Sequence, residues 1–272
     1  MARRVLDAGH DVWLWNRTAG RAAVLSGAGG RLAATPAEAV HHADVVILML
    51  ADAAAVGAVT EGPDGIEAAV RPHATVVDMS TAGPDAVARL RTALPDGVIL
   101  LDAPVLGSVA EAGAGTLTIL VGGPPDAVAE ARPLLSLLGS PLHMGPVGAG
   151  AAAKLVANAA LIGTLGVLGE TVALADGLGL PREVAWRVLA LTPLAGQAER
   201  RRPMVESGSY PARFGLALAR KDAGLIVTTT VADLRLARAA LTWLADAEAA
   251  GLGGADYTAV LSHILAAHGD RA

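Results

Sequence analysis

Along the first half of the chain, apolar residues fall in short, nearly unbroken runs: Val12–Trp15, Val45–Leu50, Thr75–Asp78, Val98–Asp102 and Leu117–Val121. A strand with one wet face would alternate apolar and polar residues, so continuous runs predict strands buried on both faces. The intervening segments Thr18–Ser26, Pro36–His41, Pro84–Leu94 and Pro125–Leu138 are amphipathic or Ala-rich and open with Thr or Pro, which suits a helix cap or first turn. Strands alternating with helices predict βαβ units and a mostly parallel sheet.

From Gly148 onward the strand pattern stops. Ala151–Asp176 reads as one long helix, with Gly177 and Gly179 as stop signals and Pro181 opening the next helix. Pro181–Leu191, Arg213–Ala250 and Ala255–His268 are helical in pattern as well. The predicted boundary lies near Pro146–Gly150, giving an α/β domain over 1–147 and an all-α domain over 148–272 joined by the long helix.

Composition narrows the function classes. Hydrophobic residues make up 53% of the 272 and aromatics only 3%, so a core exists and is built from Ala, Val and Leu. The formal net charge of −5 and the lack of a basic stripe argue against nucleic acid or an anionic membrane as partner. The absence of cysteine removes disulfides, thiolate metal sites and thiol nucleophiles. The apolar stretch Leu155–Gly169 is interrupted by Asn158 and reads as a buried helix, so a soluble, cytoplasmic protein is expected. His41-His42 lacks the spacing of a metal site, and no metal is expected. Arg200-Arg201-Arg202 reads as a solvated charge run, and Trp13 and Trp15 as sheet packing. Lysine usage is the most informative feature: of 21 basic residues only Lys154 and Lys221 are lysines. A chain that otherwise uses arginine keeps lysine where a compact, titratable ammonium is useful.

Several stretches carry candidate chemistry. The opening residues end a helix at Gly9-His10, and a strand through Val12–Trp15 then ends in Asn16-Arg17-Thr18. Helix, strand and polar tip match the second half of a dinucleotide-binding unit. Asn16 stands where an acid would bind a ribose, and Arg17 and Thr18 suit a 2′-phosphate. Asp78-Met79-Ser80-Thr81 and Asp102-Ala103-Pro104-Val105-Leu106-Gly107-Ser108 put hydroxyls and glycine at strand ends, where backbone N–H groups can approach a carboxylate. Lys154 and Asn158 are four apart and share a helix face. Further on, Phe214-Gly215 leads to Lys221-Asp222.

In this order the stretches resemble the β-hydroxyacid dehydrogenases, among them 3-hydroxyisobutyrate dehydrogenase and glyoxylate/succinic semialdehyde reductase, over essentially the whole chain. The resemblance implies a Rossmann domain followed by an all-helical domain, with the site between them. It implies an NADP(H)-dependent oxidoreductase, NAD(H) being the lesser candidate, acting on a small carboxylate substrate, a short 3-hydroxyacid or its carbonyl counterpart. By this resemblance Lys154 is the proton donor and acceptor, and Asn158 orients substrate. Ser80 and Thr81 contact substrate and nicotinamide, and Gly107-Ser108 grips the carboxylate. Lys221 approaches the cofactor, Asp222 and Phe214 close the site, and Leu50 and Ala51 line the nicotinamide half. The small residues Ala157, Ala159, Ala160, Gly163, Gly166 and Gly169 predict a helix that meets a second copy in a homodimer or larger homo-oligomer.

Two departures stand out. Leu106-Gly107-Ser108 replaces the family's Ser-Gly-Gly. The family's first strand and Gly-x-Gly-x-x-Gly loop do not occur in this sequence, and the expectation is that they are encoded upstream of Met1. The competing readings are an imine reductase on the same scaffold and a non-catalytic relative that oligomerises through its helical domain.

Overall fold

The computed structural model describes residues 1–269, which group into two compact units, Met1–Lys154 and a second from Leu155 onward. In the first unit, β3 (Val45–Leu48), β4 (Thr75–Asp78) and β5 (Ile99–Asp102) run parallel, with Leu48, Asp78 and Asp102 aligned at their carboxyl ends. Successive residues serve opposite faces. Val76 and Leu100 pack with Val56, Val59, Val87 and Leu90 of α4 (Ala53–Thr60) and α5 (Pro84–Ala93). Val77 and Leu101 pack with Val128 and Leu135 of α7 (Pro125–Ser136) and with Val5 of α1 (Ala2–Asp7). Both faces are therefore dry, which is why these strands lack alternation.

The sheet is less uniformly parallel than the sequence predicts. One antiparallel register runs through Asp102↔Gly122, Val105↔Ile119 and Leu106↔Thr118 against β7 (Leu117–Gly122). Thus β5 and β6 (Val105–Leu106) are one strand that changes partner at Ala103-Pro104, where proline has no N–H to give a ladder. The far edge of β7 carries β8 (Gly139–Gly145), parallel to it. The sequence reading missed β8, because Gly-Ser-Pro-Leu-His-Met-Gly carries no apolar run, and missed β6, which is only two residues long. A separate parallel pair joins β1 (Trp13–Leu14) to β2 (Arg31–Leu32), and among the described residues no ladder links this pair to the larger sheet. Short helices α2 (Ala19–Ala23), α3 (Pro36–Val40) and α6 (Val109–Ala114) complete the unit. Helix α4 went unread because Ala-Ala-Ala-Val-Gly-Ala-Val has no periodicity; Asp52 caps it, accepting from Ala55 N at 2.8 Å.

The second unit is helical throughout the described residues. Helix α8 (Ala149–Gly177) begins within the first unit and contributes Leu155, Ile162, Leu165, Leu168 and Val172 to a helical core. Its partners are α11 (Leu216–Thr228), α12 (Arg235–Ala249) and α13 (Val260–Gly269), with α9 (Arg182–Leu189) and α10 (Ala195–Ser207) also feeding the core. The helix predicted over 213–250 is two helices: Thr228 and Thr229 turn their hydroxyls back to Gly224 O and Leu225 O in a β-branched run, and the chain breaks there. Helix α10, unread in the sequence, absorbs the arginine run. Arg201 is half-buried and donates to Tyr257 Oη at 2.7 Å, which corrects its reading as solvated charge. At 29 residues α8 is long and apolar enough, by length and composition alone, to cross a bilayer, yet one of its faces forms this core. The architecture is a Rossmann-like α/β unit followed by a helical unit.

Candidate functional site

In the first unit, the carboxyl ends of β3, β4 and β5–β6 lie side by side and carry most of the predicted residues. Ser80 is only 4% exposed, and its Oγ accepts from Leu50 N at 2.9 Å, so it ties the ends of β3 and β4 together. The side chain expected to contact substrate thus also has a partner within the protein. Thr81 is half-buried and Ala51 exposed, so both remain accessible at the same edge. Asp78, under Ser80, accepts from Ser80 N at 2.9 Å on Oδ1, while its Oδ2 is buried with no hydrogen-bond partner among the described residues. Burial raises its pKa, bonds from Ser80 oppose this, and the neighbouring Asp102 adds to the rise.

Asp102 does more than end a strand. Its Oδ1 accepts from Gly148 N and its Oδ2 from Ala151 N, each at 2.7 Å, so it caps the start of α8 from the carboxyl end of β5. Burial pushes its pKa up, against the backbone N–H groups of Gly148, Ala151 and Gly150. One turn into α8, the Lys154 ammonium donates to Val105 O at 2.7 Å. Lys154 is thus held on the first residue of β6, whose strand runs directly into the exposed Gly107. The Gly107-Ser108 turn is more occupied than expected. Ser108 and Glu111 form a capping box at α6, with Ser108 N donating to Glu111 Oε2 at 2.7 Å. A carboxylate of the chain itself therefore sits on the amide expected to hold a substrate carboxylate.

Asn16, Arg17 and Thr18 are exposed after β1, in the separate two-stranded sheet. Asn16 Oδ1 accepts from Thr18 N at 2.9 Å, an Asx turn, and among the described residues Arg17 makes no ion pair. An exposed guanidinium with a hydroxyl and no carboxylate among these three residues fits a dinucleotide's phosphate.

In the second unit the structure brings together Asn158, Asp222 and Lys221. Asn158 and Asp222 are 1% and 2% exposed; Asn158 Nδ2 donates to Asp222 Oδ2 at 2.7 Å. Lys221 Nζ lies 2.8 Å from Asp222 Oδ1. The Phe214 ring lies tilted against Tyr257 with centroids 5.3 Å apart, and its backbone is held by Asp256, which no motif read in the sequence singles out. Asp256 Oδ2 accepts from Arg213 N and Phe214 N at 2.9 and 3.0 Å, and Oδ1 accepts from Thr258 Oγ1 at 2.6 Å. The signal was Asp-x-Thr at a turn, a local cap pattern. Burial pushes the Asp256 carboxyl up, but the Thr258 hydroxyl and the backbone N–H groups of Phe214, Arg213 and Thr258 together outweigh it, leaving the pKa below the ordinary 3.8.

Comparison with known proteins agrees with these placements of elements. Residues 1–148 match the NAD-binding domain of 6-phosphogluconate dehydrogenase, and residues 148–264 match the NAD-binding domain of NADP-dependent 3-hydroxyisobutyrate dehydrogenase. The chain is 31% identical to 3-sulfolactaldehyde reductase of Escherichia coli K12, over 99% of this chain and 93% of the relative. It is 33% identical to NAD-dependent L-serine dehydrogenase of Pseudomonas aeruginosa, over 83% and 79% respectively. The solved structure of Mycobacterium tuberculosis 3-hydroxyisobutyrate dehydrogenase with L-serine superposes with a TM-score of 0.82 at 28% identity, covering 97% of this chain and 94% of that one.

The Asp256 network yields a pH prediction. Its folded pKa lies below the unfolded 3.8, so its contribution is fully present above that pH and is lost as pH falls through the folded value. Asp256→Asn sets an amide against donors and should destabilise the fold by about 1–3 kcal/mol at neutral pH. Urea unfolding over a pH series should find the gap to the unsubstituted protein closing below the 3.8 of the free carboxyl. A gap independent of pH would refute this role.

Proposed function

This chain belongs to the β-hydroxyacid dehydrogenases, NAD(P)-dependent enzymes acting on CH–OH groups, and from that premise we propose that it interconverts a short 3-hydroxyacid and its semialdehyde or keto counterpart with NADP(H), Lys154 serving as proton donor and acceptor. The observation that carries this reading is the Lys154 ammonium, which donates to Val105 O at the strand ends at 2.7 Å. It is one of only two lysines in the chain.

When bound, the nicotinamide supplies or accepts the hydride. The chain's own groups handle the charge and the proton. As the carbonyl oxygen of the substrate becomes negative, the Lys154 ammonium stabilises it and then delivers a proton; in the reverse direction the neutral amine removes the hydroxyl proton. Arginine could stabilise the charge but could not pass on a proton. Asn158, fixed by its bond to Asp222, orients the substrate, and Lys221, held on Asp222, lies toward the cofactor. Ser80 and Thr81 contact substrate and nicotinamide, and Ser80 also fixes the Leu50 amide. Leu50 and Ala51 line the nicotinamide half, Phe214 closes the site, and the acid group of the substrate reaches the Gly107-Ser108 turn by displacing Glu111. Arg17, with Asn16 and Thr18, holds the 2′-phosphate. Assembly follows from α8, whose residues Val156, Val167 and Leu174 are exposed at helical spacing and form a stripe with Ala160. We propose that this stripe packs on a second copy. Gly166 and Gly169 instead receive Ala240 and Ile264 of the same chain.

Replacing Lys154 with Met should lower kcat by about 10²- to 10⁴-fold with NADPH affinity nearly unchanged, and Lys154→Arg should rescue little. Near-normal kcat for Lys154→Met, on the best substrate found, would overturn the assignment. For the cofactor, kcat/KM should favour NADPH over NADH, and Arg17→Ala should cut NADPH use about tenfold or more by losing a charge-assisted bond, leaving NADH use unchanged. Equal use of both cofactors by the unsubstituted enzyme argues against NADP. Light scattering at micromolar concentration should report a dimer or larger assembly that Val167→Glu weakens; a monomer would contradict the α8 interface.

A further inference from the structure

The group that fixes where Lys154 sits is a carboxylate far from it in sequence. Helix α8 starts at Ala149, so the N–H groups of its first turn have no partner within the helix. Asp102 supplies both of its oxygens to this end, to Gly148 N and Ala151 N at 2.7 Å each, and is itself only 1% exposed. The strand that carries it continues through Pro104 to Val105, whose carbonyl takes the Lys154 ammonium at 2.7 Å. A single stretch, Asp102–Val105, therefore holds both the root of the helix and the tip of the lysine. The approach is too close for any side chain at Gly150, where a Cβ would overlap Leu120 O and Asp102 O. The first turn consequently has one seat against the strand ends.

We infer that Asp102 is a positioning residue for Lys154, setting the distance of the ammonium from the substrate oxygen by clamping the first turn of α8. This rests on Lys154 being the acid/base. Asparagine at Asp102 retains one acceptor but turns an amide NH₂ toward a backbone N–H, so one of the two bonds is lost and the turn shifts. A misplacement of about 1 Å in a reacting group costs on the order of 10²-fold in rate, whereas Arg17, proposed for the 2′-phosphate, follows β1 in the separate two-stranded sheet.

The test is a double-mutant cycle read by steady-state kinetics with NADPH and the best substrate found. Asp102→Asn should lower kcat by about 10- to 100-fold with little change in KM for NADPH. The same substitution made in Lys154→Met protein should have less than a twofold effect, because there is no longer an ammonium to misplace. A purely structural role would give the same loss in both backgrounds, and that result overturns the inference while leaving Lys154 in its role. If Lys154→Met itself keeps its rate, the acid/base reading fails and the inference with it. Gly148→Ala provides a milder variant: Gly148 sits at φ +94° with open space around its Cα, so alanine is disfavoured by its backbone and not by a clash. It weakens the bond to Asp102 Oδ1 and should lower kcat several-fold, again only when Lys154 is present. If Asp102→Asn does not fold, Gly148→Ala carries the test alone, and an unchanged kcat for it overturns the inference.

Discussion

A buried carboxylate that caps a helix from a neighbouring strand is the constraint on which the first unit's chemistry depends. Asp102 has lost its water, a cost reflected in its raised pKa, and receives in exchange the N–H groups that α8 leaves open at its start. Removing either side leaves the other unsatisfied in a dry place, so helix and sheet end are coupled more tightly than apolar packing alone would couple them. The partner change at Ala103-Pro104 adds to this. A strand that stayed on β4 would not deliver Val105 O to Lys154, and the antiparallel turn onto β7 carries it there.

The second unit uses polar groups in a different way. Its core is mostly Ala, Leu and Ile, and Asn158 and Asp222 are buried beside it as a bonded pair, with Lys221 on Asp222 and partly exposed. Such a pair is costly to bury and costly to break, because each partner satisfies the other where water is excluded. It fixes the side-chain conformation of Asn158 far better than the surrounding methyl groups would. Asp256 does the same for the backbone at Phe214, with its pKa held low by the bonds it accepts.

How much was legible follows from which signals are local. The strands β3, β4, β5 and β7 and the helix α8 announced themselves because burial on both faces, or over a long stripe, writes continuous apolar runs. What stayed hidden had no such pattern: β8 mixes Gly, Ser, Pro and His with only Leu142 and Met144, α4 is mostly small and apolar, and the break at Thr229 depends on hydroxyls bonding back to their own helix. Lys154, Asn158, Lys221 and Asp222 stood out in the sequence through residue type and spacing. Asp102 was visible only as the end of a strand.

By itself, then, the sequence determined the succession of an α/β half and a helical half, the residues able to titrate or bond, and the family resemblance, since all of these depend on residue type and short-range spacing. The tertiary structure alone decided which of those groups were already engaged. Ser80 ties Leu50 to its strand end, Glu111 fills the Ser108 amide, and Asp102 is the cap of α8. The Asp102 and Ser80 bonds join residues 49 and 30 positions apart, and no periodicity reports a hydrogen bond from a strand end to a helix start or to another strand end that only the fold brings within reach.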